Sequence, residues 1–220
     1  MKKICVSIFC LVVLILAAPM LRGQDLSKYR AFSLETNLAT VLRHTDQKLA
    51  DVKEIQSRPA LIQELTWWLA SLPGTPLRPD AVEQMLFSFY NGELYKMSVT
   101  YARNSIEGLT ADDMVRSIST KYGAATLIAV TIDAPTGDRL QPVASWDDSQ
   151  YSIKLMRSSF TGGFELAIYF KRINAEAELA LTEAVKLEDQ EAPQREGERQ
   201  KKETDELEVT RQKNQKSFRP

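Results

Sequence analysis

Apolar and polar residues alternate along much of the middle of this chain, as they do in strands that bury one face. The clearest case runs from Phe164 to Lys171, where every second residue is large and apolar. Further segments of extended character are separated by turn-forming residues, including proline- and glycine-containing loops at residues 73–79 and 133–142. The predicted strands and hairpins lie at residues 29–34, 52–57, 60–69, 85–101, 124–132, 143–156 and 164–171.

The segment at residues 60–69 fits two periods. Leu61, Leu65 and Leu69 would lie along one stripe of a helix, whereas Thr66 and the two tryptophans that follow it favour extended structure. We interpret the segment as a strand and keep the helix as the alternative.

The first hairpin, at residues 85–101, turns at an Asn-Gly pair. A two-residue loop would divide the apolar residues between both faces of the hairpin. A three-residue loop at residues 90–92, with its glycine in a bulge, pairs Phe87 with Tyr95 and Met85 with Met97. Because one apolar face is the more consistent solution, this register is the predicted one.

The second hairpin has Asp147, Asp148, Ser149 and Gln150 at its tip. A four-residue loop would pair Trp146 with Tyr151 and again leave one apolar face. Adjacent aspartates at such a tip are interpreted as turn formers whose side chains accept hydrogen bonds from nearby amides.

Three helices are predicted. The first begins at Thr36 or Asn37 and fades near Asp46. The second is capped by Thr110 with Asp113 in a capping box, and it ends at Gly123. A last helix begins at Asn174 and ends near Leu187, with five apolar residues available to dock. These residues are Leu179, Ala180, Ala184, Val185 and Leu187.

Together these elements predict an α+β fold, in which an antiparallel sheet of two hairpin or meander groups packs with short helices. The predicted domain covers residues 24–187. It divides into two weakly similar halves, at about 29–105 and 106–173, followed by the helix at 174–187. Residues 188–220 hold 17 charged residues in 33, so a charged tail, helical and fraying into disorder, is expected there.

The first 23 residues have the pattern of a secretory signal peptide. Lys2 and Lys3 precede an apolar run from Ile4 to Ala18, and cleavage is expected after Gly23. The alternative is an uncleaved anchor, for which the apolar run is slightly short. We therefore expect an exported protein, periplasmic or extracellular, with no membrane span after cleavage.

The mature chain offers little catalytic chemistry. Cys5 and Cys10 both lie in the predicted signal, and His44 is the chain's one histidine, interpreted as a cation at a helix C-terminus. No catalytic, cofactor-binding or metal-binding residue is assigned, and no cofactor is expected. The 28 basic and 29 acidic residues are interspersed, so a nucleic-acid partner is not expected.

These observations favour a non-catalytic binding or interaction module of the cell envelope, acting on an envelope protein. The alternatives are a small carboxylate-dependent hydrolase and an inhibitor or chaperone-like module. The candidate partner contacts are Trp67, Trp68 and Trp146, because an exposed tryptophan on a sheet marks a contact surface. The alternative is a sheet covered on both faces, in which these tryptophans belong to the core.

The residues from Phe87 to Leu94, with Asn-Gly at the turn, precede a capped helix that ends in Lys121-Tyr122-Gly123. This organisation resembles uncharacterised exported bacterial envelope proteins with no assigned activity. In architecture alone it is similar to helix-plus-meander modules such as the outer-membrane assembly lipoprotein BamE and the tandem-repeat β-lactamase inhibitor protein. The chain lacks the inhibitor's disulfide cysteines and the lipoprotein's lipid-bearing cysteine. The resemblance therefore implies a fold and transfers no functional residue.

Overall fold

The structure is a computed structural model that describes residues 24–69, 81–128 and 140–219. The predicted signal peptide at 1–23 and the predicted loop at 73–79 lie outside these ranges. The same is true of residues 129–139, which include the end of the predicted strand at 124–132 and most of the predicted loop at 133–142.

An antiparallel sheet of eight strands forms the centre of the fold, and helices lie on both of its faces. The strands are β1 (Lys28–Tyr29), β2 (Phe32–Ser33), β3 (Val52–Gln56), β4 (Ile62–Trp68), β5 (Val82–Tyr90), β6 (Glu93–Tyr101), β7 (Thr126–Leu127), β8 (Leu140–Asp147), β9 (Tyr151–Ser158) and β10 (Phe164–Phe170). The helices are α1 (Leu38–Thr45), α2 (Arg103–Ile106), α3 (Ala111–Tyr122) and α4 (Lys171–Ser217), with a 3₁₀ turn at Leu49–Asp51. The predicted α+β class is confirmed.

The strand order is symmetric about its centre. It runs β3-β4-β5-β6-β10-β9-β8-β7, while β1 and β2 form a separate two-stranded hairpin. Each side of the large sheet therefore consists of four strands that follow one helix in the chain, α1 on one side and α3 on the other. The last strands of the two sides, β6 and β10, pair antiparallel at the centre.

The strand registers obey the same symmetry. Counting outward from the central β6–β10 pair, each side presents a matching row of apolar residues across three strands. The rows are Val99, Met85 and Trp67 on one side, and Ile168, Ile153 and Trp146 on the other. Trp67 and Trp146 thus occupy equivalent positions.

The main core lies on one face of the sheet, under α1, α3 and the segment before α1. Phe32 packs against Phe87 with ring centroids 4.7 Å apart, and the Tyr122 hydroxyl donates a hydrogen bond to the Lys28 carbonyl at 2.7 Å. Phe87, at the middle of β5, is fully buried. The N-terminal segment is therefore an integral part of the core.

Helix α4 covers part of the opposite face with its small residues. Its buried side chains are Ile173, Ala177, Ala180 and Ala184. The helix leaves the end of β10 and reaches the region after β3, where Glu191 pairs with Arg58 at 3.4 Å. Residues 192–219 extend beyond the sheet with exposed side chains.

Several sequence predictions are confirmed. Residues 60–69 form strand β4 rather than a helix. Asn37 caps α1, and Thr110 and Asp113 form a complete capping box at α3. Gly123 follows α3 with a φ of +84°, and its N–H donates to the Ser119 carbonyl.

Both predicted hairpin registers are wrong. In the first, Asn91 and Gly92 form a two-residue turn with φ values of +50° and +83°. Phe89 then pairs with Leu94, and a bulge beyond that pair brings Phe87 opposite Met97 rather than Tyr95. One extra residue does keep the apolar face continuous, but it lies in β6 rather than in the turn.

In the second hairpin Trp146 pairs with Ile153, not Tyr151. Asp147 pairs with Ser152 and belongs to β8, so the turn lies one residue later than predicted, and the Asp148 amide donates to the Tyr151 carbonyl across it. The Asp148 carboxylate accepts hydrogen bonds from the amides of Gln150 and Tyr151, at 2.7 and 2.6 Å, so Asp148 is the turn former.

Two element boundaries also differ from prediction. Residues 29–34 form two short strands, not one, because Arg30 turns the chain with a φ of +54°. Helix α4 begins at Lys171, directly after β10, so Asn174 is not its cap. It continues to Ser217, and Leu179 and Val185 remain exposed while the alanines dock.

Within the described ranges, no helix is both long and apolar enough to cross a lipid bilayer.

Candidate functional site

The three candidate tryptophans occupy different environments. Trp146 is only 2% exposed, and its indole N–H donates to the Gly123 carbonyl at 2.9 Å. Trp67 is half-buried against Phe32, with ring centroids 5.6 Å apart. Trp68, on the other face of β4, is 60% exposed. The ring of Trp146 is thus committed to the core, and Trp68 is the tryptophan most available to a partner.

Trp68 lies at the end of the sheet where β4 and β6 end and β8 and β10 begin. Other large apolar side chains are exposed at this end. Phe160, in the turn between β9 and β10, is 84% exposed. Leu109, just before α3, and Leu140, at the start of β8, are 44% and 41% exposed. Large exposed apolar side chains gathered in one region are typical of interaction surfaces.

A groove of about 610 Å³, which we call the α2 groove, is lined by Leu109 and Leu140 and by residues on both sides of Phe160 in the β9–β10 turn. Helix α2, the residues after it to Leu109, the β9–β10 turn and the start of β10 form its walls. Its charged lining has both signs: Glu83, Arg103, Glu107, Arg157 and Glu165. Phe164 contributes an apolar base, with the Arg157 guanidinium 5.5 Å from its ring centroid.

A second cavity of about 340 Å³ adjoins the α2 groove. It shares Arg157, Ser158 and Gly162 with the groove and extends to Ala111 at the start of α3. The two cavities together separate the start of α3 from the β9–β10 turn. The combined volume is within the range that is usual for ligand-binding clefts.

The other face of the sheet carries a polar cluster in its second half. A serine and a lysine lie together there, as they do in serine–lysine hydrolases, so the protonation of the lysine has to be considered. Lys154 pairs across strands with Ser145 and lies near Tyr169. A hydrogen bond with Tyr169 is the main cause that raises the pKa of Lys154. A raised pKa keeps the amine protonated at neutral pH, so Lys154 is not suited to act as a general base.

The remaining carboxylates near this cluster have structural contacts. Asp147 forms an ion pair with Lys171 at 3.1 Å, and the Lys171 amine also donates to the Asp148 carbonyl at 2.7 Å. These contacts attach the start of α4 to the β8–β9 turn. Among the residues that the structure describes, no three His, Cys, Asp or Glu side chains gather as a metal ion would require.

Sequence reasoning did not single out the groove residues. Leu109 directly precedes a predicted helix, and Leu140 lies in a predicted loop. The Gly162-Gly163 pair predicts only a turn. Phe160, a large apolar residue directly before that turn, is the sequence feature that could have indicated an interaction surface here.

Comparisons of this chain with protein-family models, with curated proteins and with solved structures give no match.

Proposed function

We propose that this chain is a non-catalytic binding module of the cell envelope, and that it contacts its partner through the α2 groove. The observation that carries the proposal is that two exposed apolar side chains, Leu109 and Leu140, line one groove, and that the exposed Phe160 lies in the turn that forms one of its walls. Trp68 lies at the same end of the sheet, but on the face opposite Phe164, and it does not line the groove.

Exposed apolar side chains favour association because a partner that covers them removes apolar surface from water. Burying a phenylalanine or leucine side chain contributes about 1.5–3 kcal/mol relative to leaving it exposed. Three such residues around one groove leave a favourable contribution that the isolated chain does not use. A partner that covers them would gain it, less the cost of association.

Location in the envelope rests on residues 1–23. A positive start, an apolar run and a small residue before Gln24 support export with cleavage. N-terminal sequencing of the protein isolated from its native cells tests this directly. We expect Gln24 as the first residue, and Met1 or Lys2 would indicate an uncleaved anchor instead.

The binding proposal is tested by affinity purification from the native envelope with mass spectrometry. The doubly substituted variant Leu109→Ser/Phe160→Ser is compared with Leu49→Ser/Leu127→Ser. Leu49 and Leu127 are also exposed, but the segments that hold them contribute no residue to the groove, whereas Leu109 lines it and Phe160 lies in the turn that forms one wall. We expect the partner to be lost only from the first variant. Equal recovery with both variants, each shown to fold by its thermal unfolding, would refute the proposal.

A second candidate, a small carboxylate-dependent hydrolase, is favoured by one observation. Glu83, Glu107 and Glu165 all line the α2 groove, and two carboxylates are the usual machinery of acid–base hydrolysis. The variant Glu165→Gln distinguishes the two candidates. Turnover of a panel of ester, peptide and glycoside substrates that disappears in this variant would favour the hydrolase. Partner binding without turnover would favour the module.

A further inference from the structure

The two halves of the sheet differ at one corresponding junction. In the first half, the segment before α1 pairs with the turn between β5 and β6. The Glu35 amide donates to the Leu94 carbonyl and the Leu94 amide to the Thr36 carbonyl, both at 2.8 Å. The Leu38 amide donates to the Gly92 carbonyl at 3.0 Å. These bonds close the junction with a short stretch of extended chain.

The corresponding residues of the second half can be identified from the chain itself. The helix caps Asn37 and Thr110 correspond, and two residues before each cap the chain has a positive φ, +66° at Glu35 and +80° at Gly108. Glu35–Leu38 therefore corresponds to Gly108–Ala111.

The turns correspond as well. The Met85–Val99 and Ile153–Ile168 pairs are equivalent. Four pairs further toward the turn, the first half has the Phe89–Leu94 pair and the second half has the Arg157–Phe164 pair. Gly92 and Gly162, two residues before Leu94 and Phe164, have φ values of +83° and +69°. Gly92–Leu94 therefore corresponds to Gly162–Phe164.

Among the residues that the structure describes, this junction is open in the second half. Although all of the residues concerned are described, no backbone hydrogen bond joins Gly108–Ala111 to Gly162–Phe164. The α2 groove and its neighbouring cavity lie between the two segments instead. The second half thus has the walls of the junction without the chain-to-chain pairing that closes the first.

We propose that the α2 groove binds an extended segment of the partner protein, which forms along Gly162–Phe164 the main-chain hydrogen bonds that Glu35–Leu38 forms in the first half. Addition of an extended peptide to a strand is a common mode of recognition, in which backbone bonds give affinity and side-chain pockets give specificity. This inference rests on the proposed function and specifies what the groove takes.

Charge indicates the chemistry of that segment. In the first half the carboxylate of Glu35 accepts a hydrogen bond from the Tyr151 hydroxyl at 2.6 Å. The counterpart of Tyr151 is Val82, and the bulge residue beside it is Glu83, which lines the groove together with Glu107 and Glu165. These three carboxylates outnumber the guanidinium groups of Arg103 and Arg157 in the lining, so the groove disfavours a carboxylate on the ligand at this position. The segment is therefore expected to carry a lysine or arginine at this position, followed by an apolar residue against Leu109 and Phe160.

The test uses a defined probe, an acetylated hexapeptide with the sequence of residues 33–38 and the substitution Glu35→Lys. The peptide with the unchanged sequence is its control. Each is titrated to about 2 mM, in the affinity range of weak peptide binding, into ¹⁵N-labelled protein that begins at Gln24. We expect the lysine peptide to shift the amide resonances of Gly162, Gly163 and Phe164, and to bind at least about fivefold more tightly than its control.

A pair of protein variants tests the charge argument. Glu165→Lys, in the groove, should weaken binding of the lysine peptide at least about fivefold, whereas Glu54→Lys, on the edge strand β3, should not change it. Shifts confined to other amides, no shift at about 2 mM, or equal effects of both variants would overturn the inference. If partner capture still depends on Leu109 and Phe160 while the peptide fails to bind, the binding module stands and the strand-pairing mode is wrong.

Discussion

Replacement of Trp146 by phenylalanine tests whether this tryptophan belongs to the core rather than to the surface. The Trp146 indole is fully buried between β8 and α3, and its N–H donates to the Gly123 carbonyl at 2.9 Å and approaches the Ser119 hydroxyl at 3.3 Å. Phenylalanine keeps an aromatic ring but has no donor and a smaller volume. The variant therefore leaves the carbonyl after α3 without its partner and opens a small cavity.

The magnitude follows from these two losses. The Gly123 carbonyl is part-buried, so leaving it without its donor costs about 1–2 kcal/mol, the lower part of the range for buried acceptors. The lost ring volume, only partly refilled by its neighbours, costs about 1 kcal/mol more. Their sum, about 2–3 kcal/mol in the free energy of unfolding, lowers the melting temperature of a domain of this size by roughly 4–12 °C.

The assay is differential scanning calorimetry of the protein that begins at Gln24, with Trp68→Phe as the matched control. Because Trp68 is 60% exposed, its replacement should change the unfolding free energy by no more than about 0.5 kcal/mol. The reasoning is refuted if Trp146→Phe is no more destabilising than Trp68→Phe.

Three further predictions concern local contacts. Thr110→Ala removes the cap of α3 and should cost about 1 kcal/mol in urea unfolding at pH 7; an unchanged midpoint would contradict the capping role. The Glu35 carboxylate, which accepts the Tyr151 hydroxyl hydrogen bond, is the main cause that raises the pKa of Tyr151 from 10.0 to about 12. The stabilisation from this contact is therefore complete below pH 10 and is lost as the pH rises through about 12, and Glu35→Gln should lower the pKa of Tyr151 in an NMR titration. Deletion of residues 196–220, whose described side chains are all exposed, should leave the melting temperature of the domain unchanged, whereas Ala180→Asp, at a buried position on α4, should lower its stability by at least about 2 kcal/mol; equal effects would mean that the alanine stripe does not hold the helix.

The sequence predicted the elements better than their registers. Alternation identified β10, and cap residues identified α3, because both signals are local. The first hairpin required a choice about where one extra residue lies. Asn-Gly adopts a two-residue turn readily, so the chain uses that turn and moves the bulge into β6 beyond Leu94. A bulge within the strand and a longer loop give nearly the same apolar pattern, which is why the pattern alone did not separate them.

Helix α4 shows another limit of pattern reasoning. Leu179 and Val185 are more apolar than the alanines, yet the alanines face the sheet. The covered face carries polar and small side chains such as Ser88 and Ser98, and small residues allow a helix to approach such a surface closely. The preference depends on the face opposite the helix, which the helix sequence does not contain.

The α2 groove could not be predicted from the sequence for a similar reason. It depends on Leu109, Leu140 and the β9–β10 turn meeting from three separate parts of the chain, and on a backbone pairing that one half makes and the other does not. Both are long-range properties of the sheet order. The tryptophans were the natural candidates from the sequence, but Trp146 is used by the core.

Site-specific photo-crosslinking in the native cells tests the central claim most directly. A photoreactive phenylalanine analogue is placed at Phe160, beside the α2 groove, and in a separate strain at Leu49, which is similarly exposed at a distance from the groove. The account predicts that the residue-160 probe captures one envelope protein through a segment bearing lysine or arginine, and that the residue-49 probe does not. Capture of the same protein by both probes, or by the residue-49 probe alone, would contradict it.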